Sequence, residues 1–189
     1  MKSQIVSATK LILEELLETG GIFSDALLAG YSSLALYKAL DDPRHWQYEK
    51  VTRKFDNSFR YLKRKNLIKY HQRGKQLYIT ITPKGRSLAK KYRTNDLKIR
   101  HTKPWDNKWR VLFFDIQTSQ KTKREALRGK LKELNFFQLQ KSVWVFPYPC
   151  QKEIDILRDF FGLDKNELIL ILTKKIDDDC SLKRYFKLS

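Results

Sequence analysis

The sequence predicts an α+β protein built in two parts, and three observations carry that prediction. Helically spaced apolar residues fill residues 1–66 and run into a hairpin. A strand, helix, strand pair, helix, strand order fills residues 108–173. A polar, basic, proline-containing stretch lies between them. The first order is that of a winged helix-turn-helix, and the second that of a split βαβ, or ferredoxin-like, fold. The expected division is a winged helix-turn-helix domain at 1–92, a basic linker at 93–107 and a ferredoxin-like domain at 108–189.

Residues 3–18 read as a helix with Ile5, Leu11, Ile12, Leu16 and Leu17 turned inward, ended by Thr19-Gly20-Gly21. Residues 23–29 read as a short second helix with Ser24 as N-cap and Gly30 after it, and residues 32–40 as a third, stopped by Asp41-Asp42-Pro43. A long helix at 46–66 follows. Strands at 67–72 and 76–82 flank the turn Arg73-Gly74, with Leu77, Ile79 and Ile81 inward and Tyr78 and Thr80 outward. Thr82-Pro83 opens a further helix whose stripe runs through Leu88 and Tyr92.

In the second part, Val111-Leu112-Phe113-Phe114 is too short an apolar run for a helix core and suits a strand buried on both faces. Residues 121–134 are helical, with Ala126, Leu127, Leu131 and Leu134 inside. Residues 136–146 are strand with a bend at 140–142, stopped by Pro147-Tyr148-Pro149. A helix at 151–161 turns Ile154, Leu157, Phe160 and Phe161 inward, and residues 167–173 close the order as a strand.

The long helix at 46–66 carries the candidate site. Tyr48, Val51, Phe55, Phe59 and Leu62 recur at steps of three and four, which at about 100° per residue places them on one stripe. About 180° away stand Lys50, Arg53, Asn57, Arg60 and Arg64, with Lys54 and Tyr61 on the flanks. Most charged faces are only hydrated. This one has Glu49 and Asp56 at its edges alone, so it lacks the i,i+4 pairs that lace an exposed helix. Arg and Asn are the side chains that bond guanine and adenine edges in a major groove, whereas Lys and Arg meet phosphates. Asn57, Arg60 and Arg64 are therefore the candidates for base edges. Lys50, Arg53 and Lys54, with Arg73 and Lys75 at the hairpin tip, are the candidates for phosphates.

Charge supports a polyanionic partner. Across 189 residues, 39 Lys+Arg face 21 Asp+Glu, a formal +18. Residues 1–104 hold 22 against 9 and residues 105–189 hold 17 against 12, so the surplus sits mainly in the first half. A membrane partner is disfavoured, because no apolar run approaches the ~18 residues of a span and no segment has a signal peptide's order. A cytoplasmic protein is expected. Cys150 and Cys180 have no paired spacing, and His45, His71 and His101 are scattered, which supports neither a zinc site nor a disulfide framework. No Gly-rich phosphate loop or nucleophile elbow is present.

The stretch Trp105-Asp106-Asn107-Lys108-Trp109-Arg110, the FFDI of Phe113 to Ile116 and the LQKSVWVFPYP of Leu139 to Pro149 resemble the central domain of PaaX-type transcriptional repressors. The FDI and QKSVW elements are also similar to the small CRISPR-associated spacer-acquisition protein, whose ferredoxin-like domain the repressor segment shares. The resemblance covers roughly residues 105–175; the first half matches PaaX in the order of its parts. It implies a repressor, and it implies a further C-terminal domain that this sequence does not include, so no acyl-CoA effector or ligand residue is carried over.

The CRISPR resemblance implies a second role for one residue. Asp115 occupies the position of that family's proposed metal-binding aspartate, paired with its copy across a dimer axis, and under a nuclease reading it would take Mg²⁺. A single carboxylate per chain is a poor cage for an ion that must orient a water. The alternative is that Asp115 closes its strand and accepts N–H groups from residues 118–122. The run Asp177-Asp178-Asp179 reads as a solvated turn or helix start.

Together these readings predict a sequence-specific regulator of double-stranded DNA, acting as a homodimer paired through the ferredoxin-like domain, with no cofactor and no assigned small-molecule effector. A metal-dependent nuclease using Asp115, and a module whose basic face meets an acidic protein, stand as alternatives.

Overall fold

The computed structural model describes residues 2–23, 57–73, 76–101, 104–177 and 179–188. The chain folds as two compact units, Met1–Arg93 and Thr94–Ser189. Each unit is a mixture of helices and antiparallel strands, an α+β arrangement. No helix among the described residues is long and apolar enough to cross a membrane.

In the first unit, helix α1 spans Lys2–Thr19 and ends where Gly20, at φ 74°, returns its N–H to Leu16 O at 3.0 Å. Its buried side is Ala8, Thr9, Ile12, Leu13 and Leu16. Leu11, expected inside, is exposed and Leu13 takes its place. Measured around the helix from Ile12, Leu13 lies about 100° toward Thr9 and Leu16, whereas Leu11 lies the same distance the other way. The next residues, expected to begin a helix at 23, instead form strand β1, Gly21–Phe23. The predicted helices at 23–29 and 32–40, and the first part of the long helix through residue 56, otherwise lie outside the described residues.

Residues 57–64 are helical and are termed α2. It ends in a Schellman turn: Asn66, at φ 55°, donates to Lys63 O, and Leu67 donates to Leu62 O, both at 2.9 Å. Strands β2 (Ile68–Arg73) and β3 (Gln76–Ile81) pair in register from Ile68↔Ile81 to Arg73↔Gln76, and β1 joins the other side of β3. Gly21 allows that close approach, since a Cβ there would stand 2.9 Å from Ile79 O. Ile79 and Ile81 are buried, but Leu77, expected inward with them, is exposed. Leu77 lies toward the hairpin end, opposite Gln72, away from the core residues Leu62, Leu67, Ile68 and Ala89.

Helix α3, Pro83–Asn95, starts on a built cap. The Thr82 hydroxyl accepts from the Gly85 N–H at 3.0 Å and donates to Asn66 O at 2.8 Å, while the Thr82 N–H donates to Leu67 O at 3.0 Å. The start of α3 is thereby fastened to the end of α2.

The second unit is one four-stranded sheet. Strands β4 (Trp109–Phe114), β5 (Phe137–Gln140), β6 (Val143–Phe146) and β7 (Leu168–Thr173) stand in the order β5-β6-β4-β7, every neighbour antiparallel. That is the order a split βαβ pattern produces, with α4 (Lys121–Glu133) and α5 (Gln151–Phe161) as its two helices. The bend expected at 140–142 is the tight turn of the β5–β6 hairpin, and the register shifts between Gln138 and Gln140.

Alternation divides the strands between two faces. Leu112, Phe114, Trp144, Phe146 and Leu168 pack with Leu127 and Leu131 of α4 and Ile154 and Leu157 of α5. Trp109, Val111 and Val145 face the other way, against Leu182 of a C-terminal helix α6, Asp179–Phe186. Ala126 and Phe160, expected inside, are exposed, because Leu127 and Leu131, and Ile154 and Leu157, already fill the sheet-facing side. Leu97, Ile99 and Trp105, within the stretch read as linker, pack against the first of these clusters.

Candidate nucleic-acid interface

The described part of the candidate stretch at 46–66, residues 57–64, is held from beneath. Ser58 and Leu62 are fully buried and Phe59 packs on the same core. Asn57, Arg60 and Arg64 are exposed, and at about 100° per residue they emerge within about 60° of one another. Lys63 is also exposed and sits over the Tyr70 ring, 5.1 Å from its centre, which ties α2 to β2 by a cation–π contact. Burial raises the Tyr70 hydroxyl above its ordinary pKa, so that ring stays neutral beneath the ammonium. On β2 and β3, His71 Nε2 and the Thr80 hydroxyl are 2.9 Å apart, which cross-links the two strands.

Arg73 ends β2 opposite Gln76, next to the hairpin tip. Lys50, Arg53, Lys54 and Lys75 lie outside the described residues. The structure thus brings Asn57, Arg60 and Arg64 together on one side of α2. It also shows a cationic element beyond those the sequence pattern marks: α3 carries Lys84, Arg86, Lys90, Lys91 and Arg93 and no acid at all. The signal that could have found it is the same scarcity of acids that marks residues 46–66.

In the second unit, the tryptophan-rich motif is a fastening. Trp105 Nε1 donates to Pro147 O at 2.9 Å and to Lys108 O at 3.1 Å. The Arg110 guanidinium grips both oxygens of Asp106 at 2.7 and 2.6 Å and also donates to Lys108 O and Pro147 O. Trp109 Nε1 donates to Asp179 Oδ1 at 2.6 Å, and Lys183 holds the same carboxylate. The start of β4 is therefore locked to the end of β6 and to α6. These residues hold the sheet.

Asp115 is exposed at the end of β4, and its N–H donates to Glu167 O at 2.9 Å, extending the ladder by one residue. The bonds expected from residues 118–122 to its carboxylate are not formed; the Gln120 N–H, for one, turns back to Gln117 O within the 3₁₀ turn Thr118–Gln120. Among the described residues, no three His, Cys, Asp or Glu side chains gather where they could hold an ion. The donors that one chain places around Asp115 thus do not fit a resident divalent metal.

The second unit belongs to the class of small α+β domains with a single antiparallel sheet, two helices on one face and a terminal helix on the other. Residues 102–179 match the family model described as the PaaX protein central Cas2-like domain, so the chain carries a PaaX-type domain of that kind. No curated protein matches the chain.

Proposed function

We propose that the protein is a sequence-specific DNA-binding transcriptional regulator that works as a homodimer in the cytoplasm, its first unit a winged helix and its second a ferredoxin-like pairing domain. The observation that carries this reading is α2. Its buried side rests on the core, while Asn57, Arg60 and Arg64 emerge together with no acid among residues 57–64. Among the described residues, a helix, a short strand, a helix and a hairpin follow one another, and the three described strands share one antiparallel sheet, which supports the winged-helix assignment. The hairpin end with Arg73 and Lys75 would follow the sugar-phosphate backbone, beside Lys50, Arg53 and Lys54 of the same long helix. Repression is taken from the resemblance to PaaX-type repressors.

Selecting bound sequences from a random duplex pool tests this directly. An enriched inverted repeat is expected. On that repeat, Arg60→Ala should weaken binding by about 1–3 kcal/mol, with little loss on random DNA. A pool that shows no enrichment, or a loss equal on all sequences, would remove Arg60 from the base-reading class.

Pairing of two chains has its own surface. Strand β7 is an edge strand, and Ile169, Ile171 and Leu172 on it are 41, 47 and 55% exposed. Two copies running antiparallel about Ile171 would place the two Ile171 side chains next to each other, flanked by Ile169 of each chain, and set Glu167 of each chain opposite Lys175 of the other. Ile171→Glu should convert a dimer into a monomer by light scattering, and should cost affinity for the inverted repeat while sparing a half-site. A variant that stays dimeric moves the interface away from β7.

A further inference from the structure

We infer that the two cationic flanks of α3 bind phosphate, which extends the DNA footprint beyond the recognition helix and the hairpin tip. This rests on the first unit being a DNA-binding domain.

The inference starts from a contrast between helices. Every described helix that contains acids spends some of them on intrahelical ion pairs: Lys10 with Glu14 in α1, Arg128 with Glu125 and Lys130 with Glu133 in α4, Arg158 with Asp155 in α5, and Lys183 with Asp179 in α6. Among the α-helices described over their whole length, α3 alone has no Asp or Glu, and most of it lies in the first unit. A solvated helix gains from laced charges, so a helix that forgoes them in favour of cations alone is better explained by a partner that supplies the anions.

The positions sharpen the argument. Lys84 and Arg86 stand in the first turn, where the positive end of the helix dipole disfavours cations, so helix stability does not explain them. Lys84, Arg86, Lys91 and Arg93 are all exposed. They form two pairs seven residues apart, Lys84 with Lys91 and Arg86 with Arg93, each spanning about 10.5 Å at 1.5 Å per residue. The two rows flank the buried side on which Gly85 and Ala89 face the core. Because Thr82 bonds to Asn66 and Leu67, the first turn of α3 adjoins the end of α2, where Arg64 and Lys65 are exposed. Tyr92 of α3 lies close enough to Tyr61 of α2 to raise the Tyr92 pKa, after burial, by charge interaction. The cations that open α3 therefore stand next to those that end α2, and a repeating line of phosphates is the partner whose charge complements both.

The test uses the full chain with Lys84, Arg86, Lys91 and Arg93 all changed to Gln, assayed on the selected duplex and on a random duplex over a range of salt. A thermal melt first confirms that the variant folds. Affinity should fall about tenfold or more on both duplexes alike, and the slope of log affinity against log salt should shrink by about 0.9 for each phosphate that the variant no longer neutralises. A folded variant that keeps the wild-type slope on both duplexes overturns the inference while leaving the regulator reading intact, provided Arg60→Ala still loses its preference for the selected site. Wild-type protein that binds no duplex, yet whose α3 cations are needed to hold an acidic protein, overturns both.

Discussion

Replacing Asp106 with alanine should destabilise the second unit by about 3 kcal/mol, because it leaves a buried guanidinium without its counter-ion. Arg110 is only 4% exposed and its charge is answered by that one carboxylate. Asp106 is 40% exposed on its side-chain atoms, so solvent screens part of the attraction and the lower end of the range for broken buried pairs applies. Arg110→Met should cost less, about 1–2 kcal/mol, since it removes the charge with its bonds, and Trp105 still donates to both Lys108 O and Pro147 O. Chemical denaturation of the two variants checks the ordering. Equal costs, or a wild-type melt for Asp106→Ala, would mean that water can take the carboxylate's place.

The same pair has a pH signature. The Arg110 bond, the first of several causes, holds the Asp106 carboxyl below its ordinary value of 3.8. A carboxyl lowered on folding contributes stability above its unfolded pKa and loses it as pH falls through the folded one. Wild-type protein should therefore lose stability faster than Asp106→Ala as the pH drops below about 4.

Gly85→Ala should destabilise the first unit, by about 3 kcal/mol, although helix propensity alone argues the opposite. Alanine is better than glycine in a helix by about 1 kcal/mol. Here a Cβ would stand 2.0 Å from Leu67 O and 2.9 Å from Ile81 Cγ1. The first of these is a backbone atom already bonded to the Thr82 N–H, so it cannot yield without breaking the junction between α2 and α3. Overpacking against a fixed backbone outweighs the propensity gain. Because the chain forms two units, an unfolding curve should show the transition of the first moving down while that of the second stays in place. If the first unit binds DNA as proposed, affinity for duplex should fall with it, since the exposed side of α2 is positioned through that junction.

Much of the architecture is legible in the sequence because it is local. The stripes Ile154, Leu157 and Leu127, Leu131 announce helices by spacing alone, and Val111 to Phe114 announces a strand by being apolar on both sides. Asn57, Arg60 and Arg64 are legible for the same reason, since their common side follows from the helical repeat. The acid-free helix α3 carries as clear a sign in its composition, but its cations flank a short apolar stripe on both sides instead of gathering opposite it, so no single charged face stands out along the chain.

What the sequence determined by itself, then, is the order and kind of most of the described elements, which side of residues 57–64 is cationic, and the motif at 105–110 as a family mark. Only the tertiary structure decided that residues 21–23 join the hairpin as a third strand, that Leu13 rather than Leu11 enters the core, and that Arg110 and Trp105 reach across to Pro147. The physical reason is distance along the chain. A periodicity is written within a few residues, whereas the carbonyl that receives the Arg110 guanidinium lies 37 positions away and leaves no trace near Arg110 itself.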